Sequence, residues 1–378
     1  MKGTSMKMNN SIQKTSRSSN LIRRNVSIDI LECIAIFLVL IYHSTLYSND
    51  FINHPSFLYY IRYYLTTFLS PCVCLFFFAN GYLLLNKKFN LNKHIRKTIR
   101  LVVLTALWSI IKIIILMPIK NEYLSLSEFV KAVWTRKFGW IESLWFLGSL
   151  VGIYLIFPIL KSAYDNNRKC FLYFTAVVTI LTFGNKLLNE CGTAFLTLIL
   201  HKNIALQDLN FFNMFNPFGG IHGYPLVYFC LGGYACRIEG KIKAVPALKR
   251  NVISTVIMAV CGLGLWAVGL LYSYTNNSIR DVVWNGYDTV FTLGIVLCIY
   301  VLCLNYKKNS RIVRLISCNT LGIYFIHELF IKATQGYIKS FQFFCNIPCT
   351  MLYALLILFI SLGITLIMKK IPVLRQLV

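Results

Sequence analysis

A histidine and two carboxylates occur in one otherwise apolar stretch, from Asp29 to His43. At about 100° per residue, positions eleven and fourteen apart fall within roughly 20° to 40° of each other, so Asp29, Glu32 and His43 share one face of a predicted helix. Ionisable groups inside a membrane span are costly, and they usually face a bundle interior or a water-filled cavity. Because an uncharged imidazole accepts a hydroxyl proton near neutral pH, His43 is the candidate general base. The carboxylates, about 16 to 21 Å away along the helix, are expected at the opposite mouth.

A second histidine, His327, is predicted to lie at a similar depth in a later helix. Counting about 1.5 Å per residue along each predicted span, His43 lies roughly 20 Å and His327 about 22 Å from the same end of the bundle. The alternative for each histidine is a packing residue with its hydrogen bonds satisfied.

Basic side chains at the other end of the bundle are candidates for binding an anionic ligand. The densest cluster ends with Arg96, Lys97 and Arg100. Arginine offers bidentate contacts to phosphate and lysine a point charge, so a phosphate-bearing ligand would suit this cluster. The alternative is that the cluster only orients the chain in the membrane.

Two further positions interrupt or begin apolar runs. Asn80 and Gly81 lie within the run LFFFANGYLLL. A buried amide needs partners, so Asn80 is expected to bond across helices, and Gly81 to allow close approach of a neighbouring backbone or ligand. Trp145 begins another apolar run and is a pocket candidate, with an interfacial anchor as the alternative.

The elements that position these residues are predicted from composition. The 378 residues are 57% hydrophobic and 13% charged, whereas soluble domains carry about a quarter charged residues. This indicates an all-α integral membrane protein. The net charge of +25 comes from short basic clusters between apolar runs. This indicates that the charges orient the chain in the membrane rather than bind nucleic acid. The thirteen cysteines lie mostly in apolar runs without zinc-like spacing, so neither a disulfide framework nor a metal site is predicted.

Residues 1–24 read as a disordered basic tail, and residues 25–378 as a single bundle of about ten transmembrane helices. Most of the 38 Lys and Arg residues fall on the side of the two termini, so both termini are predicted to be cytoplasmic. Residues 118–142 are expected outside the bilayer, with a short interfacial helix, and residues 184–222 as the longest loop. The predicted spans are about 30–47, 57–85 (interrupted at Ser70 and Pro71), 101–117, 144–160, 170–183, 223–236, 252–274, 290–304, 312–330 and 351–368.

Six motifs, taken in order, resemble the membrane-bound acyltransferase 3 family, which moves acyl groups, often acetyl, onto surface glycans and other exported acceptors. Their positions and residues are Asp29 to His43, LFFFANGYLLL (75–85), Lys97 to Arg100, SLWFLGSLVGIYLIFPIL (143–160), YFCLGGYACR (228–237) and LGIYFIH (321–327). The chain departs from the family pattern at three positions. Glu32 stands where the family has an arginine, Asn80 replaces a serine, and Lys97 replaces the first arginine of a pair.

The resemblance implies an O-acyltransferase, in the first place an O-acetyltransferase, that uses cytoplasmic acetyl-CoA and a glycan or lipid-linked glycan acceptor. The expected location is the bacterial cytoplasmic membrane, in contact with lipid. Two alternatives remain at this point: a small-solute transporter, and an inactive family member acting in binding or export, which Glu32 keeps open. The residues assigned to the site are His43 as catalytic base, Lys97, Arg100, Arg96 and Asn80 for the donor, and Trp145, Tyr324, His327, Glu32 and Asp29 for the substrate pocket.

Overall fold

Helices make up the regular structure of the residues that the computed structural model describes, 25–135, 139–201, 211–308 and 310–378, with no strand in those ranges. The predicted tail, residues 1–24, lies outside them. The α-helices are α1 (Val26–His43), α2 (Phe57–Thr67), α3 (Cys72–Leu85), α4 (Leu91–Lys120), α5 (Leu126–Thr135), α6 (Trp145–Asn166), α7 (Arg168–Thr179), α8 (Asn185–Leu198), α9 (Gly223–Ala244), α10 (Ala247–Thr275), α11 (Val290–Cys303), α12 (Arg311–Ser317), α13 (Thr320–Lys339) and α14 (Ile347–Lys370).

Seven helical segments of the described chain are long and apolar enough to cross a membrane, which makes this a multi-span membrane protein. They are Val26–His43, Phe57–Leu85, Leu91–Lys120, Glu142–Asn166, Arg168–Leu198, Ala247–Thr275 and Ile347–Lys370. The other three spans that the sequence predicts fall on α9, on α11, which is apolar but only 14 residues long, and on α12 with α13. Polar residues such as His327, Glu328 and Lys332 lower the hydropathy of α13.

Several predicted boundaries differ from the observed ones. The residues at 185–198, predicted as part of a loop, form α8, because a π-helical turn at Ile180–Gly184 carries α7 into it. A glycine inside a helix costs only about 1 kcal/mol, so Gly184 does not end this one. The predicted span 312–330 is instead broken between Ser317 and Thr320 into α12 and α13.

Other predictions are confirmed. The second predicted span is interrupted where expected, since α2 ends at Thr67 and α3 begins at Cys72. Residues 118–142 contain the short helix α5. The basic cluster, however, is helical: α4 begins at Leu91, and the Asn90 side chain caps it by accepting from the Lys93 backbone N–H at 2.9 Å. Its cations therefore project from an ordered helical surface.

Helices α3 and α9 cross with their backbones in close contact. A Cβ added at Gly81 would lie 1.8 Å from the Phe229 carbonyl oxygen, and one added at Gly232 would lie 2.0 Å from the Phe78 carbonyl oxygen. Only glycine permits such an approach, which confirms the close packing predicted at Gly81. The crossing fixes the position of the neighbouring Asn80.

Helix α1 lies in the middle of the bundle. It packs against α3, α11, α12, α13 and α14, and Leu31, Ala35, Ile36 and Leu40 on it are completely buried. A polar side chain on this helix therefore faces other helices or an internal cavity.

Candidate active site

Two histidines meet at the end of α1. His43 is its last residue, and the centroid of its ring lies 5.4 Å from that of His327 on α13. His327 is completely buried, and its Nδ1 lies 3.3 Å from the Ile323 carbonyl oxygen. Because that carbonyl can only accept, Nδ1 carries the proton and Nε2 keeps a lone pair, for which the described residues supply no hydrogen-bond partner. The predicted similar depth of the two histidines is confirmed.

A buried ion network supports this pair. The Nζ of Lys112 lies 2.6 Å from Glu328 Oε2 and 3.0 Å from Ser143 Oγ, and the Ser143 hydroxyl donates to the same carboxylate. The Nζ of Lys332 lies 2.8 Å from Glu328 Oε1. Glu328 is therefore held between two cations, as a buried charge requires.

The site predicted from the sequence does not include Lys112, Ser143 or Glu328. Lys112 is a charged side chain within a predicted span, and such side chains mark functional positions by default. Glu328 directly follows a candidate histidine.

His43 lines a cavity of about 680 Å³, here called the histidine cavity. Trp145 also lines it, and the Trp145 ring packs edge-on against Trp284 with centroids 5.3 Å apart. The Tyr42 hydroxyl donates to Asp281 Oδ2 at 2.5 Å on the same wall. The residues that line the histidine cavity are Val39, Tyr42, His43, Cys72, Val73, Thr135, Glu142, Ser143, Trp145, Asp281, Trp284, Tyr287 and Tyr324.

A second cavity, of about 350 Å³, has three of the four predicted donor residues on its wall, Asn80, Lys97 and Arg100, and is called the basic cavity. The Nζ of Lys97 lies over the Tyr154 ring, 5.0 Å from its centroid. Arg100 donates to the Gln376 carbonyl oxygen at 3.4 Å. The residues that line the basic cavity are Glu32, Phe76, Asn80, Lys97, Arg100, Leu101, Leu104, Phe146, Leu150, Tyr154, Thr320, Leu321, Tyr324 and Val378.

Asn80 makes the interhelical bond predicted for it. Its side-chain nitrogen donates to the Phe76 carbonyl oxygen at 2.9 Å, and its side-chain oxygen accepts from the Tyr154 hydroxyl on α6 at 3.3 Å. Glu32 lines the same cavity, so α1 carries a carboxylate at one cavity and an imidazole at the other.

Three predicted site residues lie apart from the cavity walls described above. Asp29 is buried, and its Oδ1 accepts from the Ser317 hydroxyl at 3.2 Å, which joins α1 to α12. Arg96 is exposed on the first turns of α4. His327 lies behind His43 rather than on the cavity wall, as the ring distance and its complete burial indicate.

The two cavities meet at Tyr324, which lines both. Its hydroxyl donates to the Ser143 carbonyl oxygen, and its ring lies 5.4 Å from that of Phe146. The Tyr324 side chain therefore lies between the basic cavity and the cavity of His43. Such an arrangement suits transfer of a small group between ligands bound at opposite ends.

A comparison with known protein families identifies the family of the chain. The model of a family described as an acyltransferase domain matches residues 25–369. No curated protein and no solved structure matches the chain. Because the family match covers nearly the whole sequence, the chain belongs to the acyltransferase 3 family of membrane-embedded acyltransferases.

Proposed function

We propose that this acyltransferase moves an acetyl group from acetyl-CoA to a hydroxyl group of a cell-envelope glycan or its lipid-linked precursor. The observation that carries the proposal is the meeting of the two cavities at Tyr324, with Lys97 and Arg100 at one cavity and His43 at the other. Cations suit a phosphate-bearing donor, and a neutral imidazole suits an acceptor hydroxyl.

The proposed orientation follows from the distribution of Lys and Arg. About ten spans, with α9, α11 and α13 added to the long apolar helices, leave both termini in the cytoplasm of a bacterial cell. The basic cavity then faces the cytoplasm, where acetyl-CoA is made. The histidine cavity faces the outside, where an exported glycan is available.

The donor would be held at the basic cavity by charge and by hydrogen bonds. Lys97 and Arg100 are placed to contact its phosphates, with the exposed Arg96 nearby on the same helix. Asn80 offers an amide on the cavity wall. Glu32, where the family has an arginine, cannot bind phosphate, but a carboxylate accepts from amide N–H groups such as those of the pantetheine arm. This departure therefore fits a changed contact with the donor.

At the histidine cavity, His43 would take the proton of the acceptor hydroxyl. The freed oxygen forms the new ester bond to the acetyl carbonyl carbon as the carbon–sulfur bond of the thioester breaks, and the imidazolium returns its proton to the departing sulfur. His327 would position the His43 ring from behind, while Trp145 and Tyr324 shape the pocket. Asp29 would act indirectly, by holding α1 to α12.

Substituting the base tests the proposal. General-base help is worth about 10² to 10⁴ in rate, so we expect His43→Ala to lose at least about a hundredfold of acetyl transfer. The assay incubates labelled acetyl-CoA with inverted membrane vesicles of the producing cells, which expose the basic cavity, and measures the label on the envelope glycan enclosed within them.

His54→Ala is the matched control, because His54 is an exposed histidine beyond the end of α1. A fully active His43→Ala protein would exclude His43 as the base. Absence of transfer by the unaltered protein, together with an unchanged acetyl content of the surface glycan, would refute the function itself.

A further inference from the structure

A third cavity, of about 400 Å³, adjoins the histidine cavity and is called the amide cavity. The two share Trp284 and Tyr287 on their walls. Five of its lining residues are asparagines. The lining residues are Leu181, Thr182, Asn185, Lys186, Asn189, Asn213, Asn216, Gly220, Tyr224, Arg280, Trp284, Asn285, Tyr287 and Asp288.

The amides of this cavity are suited to sugar hydroxyls. A carboxamide both donates and accepts, as a hydroxyl does, and it has about four hydrogen-bonding positions. Within the described chain, Asn213 accepts from the Asn185 side chain at 3.2 Å, and Asn285 donates to the Asp281 carbonyl oxygen at 2.9 Å. Both therefore keep capacity for a ligand.

An aromatic platform stands between the two cavities. Trp284 is 45% exposed, although its ring packs against Trp145 at 5.3 Å and against Tyr287 at 5.8 Å between centroids. Exposing so large an apolar ring costs free energy unless something covers it. The ring is anchored by its neighbours and accessible from both cavities, which suits contact with the C–H face of a sugar ring.

Each cation on the wall of the amide cavity lies beside a carboxylate, of which Asp288 is on the wall and Glu190 is behind it. Lys186 pairs with Asp288 at 3.4 Å, and Arg280 faces Glu190 at 3.9 Å while stacking over the Tyr272 ring at 4.0 Å. Because each cation already has a carboxylate beside it, the cavity gives no preference to an acidic sugar. Its chemistry fits a neutral one.

We propose that the amide cavity binds a second, neutral sugar ring of the acceptor while the first ring presents its hydroxyl to His43. The protein then acetylates chains of two or more sugars in preference to free monosaccharides, and Trp284 contacts the acceptor between the two rings. This inference rests on the proposed acetyltransferase function.

The test measures acetyl transfer by the purified full-length protein in lipid vesicles. The acceptors are oligosaccharides released from the envelope glycan of the producing cells, separated into neutral and acidic pools, and the monosaccharides obtained from the neutral pool. We expect the neutral oligosaccharides to be the better acceptors. Trp284→Leu should raise the KM for these oligosaccharides about tenfold, because one aromatic contact and its buried area are lost. The KM for acetyl-CoA should not change. Trp284→Phe should restore most of the affinity.

Two further variants separate a binding role from a general loss of structure. Asn213→Ala, at an exposed position, should weaken oligosaccharide acceptors and leave monosaccharides unchanged. Trp134→Leu removes a tryptophan that is 88% exposed on α5, and it should leave every acceptor unchanged.

Equal use of neutral oligosaccharides and monosaccharides, preference for the acidic pool, or an unchanged KM in Trp284→Leu would each overturn the inference while the acetyltransferase function stands. Loss of all transfer by the unaltered protein would remove the function and the inference together.

Discussion

Replacing Lys112 by methionine tests the buried ion network behind the histidine pair. Lys112 is completely buried, and its Nζ lies 2.6 Å from the carboxylate of Glu328, which is itself only 3% exposed. Breaking a buried pair by removing one partner costs about 3 to 5 kcal/mol, since a charge is left without compensation. Because Lys332 remains 2.8 Å from the other carboxylate oxygen, we expect the lower value, about 3 kcal/mol.

That loss is measurable as a change in melting temperature. With an unfolding entropy of about 2.1 cal/mol/K per residue, the 378 residues give about 0.8 kcal/mol/K, so Tm should fall by about 4 °C. Scanning fluorimetry of the detergent-solubilised protein would record it, with size-exclusion chromatography to confirm that the variant is folded before heating.

The control is the double variant Lys112→Met with Glu328→Leu. It has no carboxylate at position 328 to leave uncompensated, so it should recover most of the lost stability, because apolar replacement of a buried pair is often neutral. A single variant that melts with the unaltered protein would refute the reasoning. So would a double variant whose loss equals the sum of the two single losses, since independent sites add.

Two further substitutions test the basic cavity and the helix crossing. Arg100→Ala should raise the KM for acetyl-CoA about tenfold, because one charge-assisted contact to the donor is lost. Arg96→Ala, outside the cavity wall, should change that KM less than twofold. Similar effects of the two substitutions would show that general positive charge is responsible. Gly81→Ala should destabilise the protein by several kcal/mol, because the added methyl group would overlap a backbone carbonyl at 1.8 Å. Gly240→Ala, with open space around it, should be neutral or stabilise the protein by up to about 1 kcal/mol. Equal melting temperatures of the two variants would contradict the close crossing.

The sequence predicts the parts of the site that depend on one helix at a time. The depth of His43 follows from the fixed rise of a helix and from the place where the apolar run begins, and His327 can be placed in the same way. Their proximity additionally requires that α1 and α13 pack against each other, which only the structure shows. The roles of Asn80 and Gly81 are predictable for a similar reason. In a membrane helix a buried amide needs a hydrogen-bond partner on another helix, and a glycine allows two backbones to approach closely.

The parts that depend on packing between distant segments were not predictable. Lys112 finds its carboxylate partner on α13, more than 200 residues later, and nothing local to either residue specifies the pairing. The amide cavity takes Asn185 from a helix predicted as a loop and Asn285 from the connection before α11. Its assembly requires the relative positions of α8 and that connection, which hydropathy does not contain.

The crossing of α3 and α9 also has a consequence for biosynthesis. Gly81 packs on the backbone of Phe229, which leaves the ribosome about 150 residues later, or about 7 to 30 s at 5 to 20 residues per second. During that interval α3 is already made but lacks the helix surface that covers Gly81. The nascent chain must therefore keep an incompletely packed helix in the translocation machinery, or shielded by earlier helices, until α9 is made. The basic cavity is completed later still, because Thr320, Leu321 and Tyr324 on its wall belong to α13.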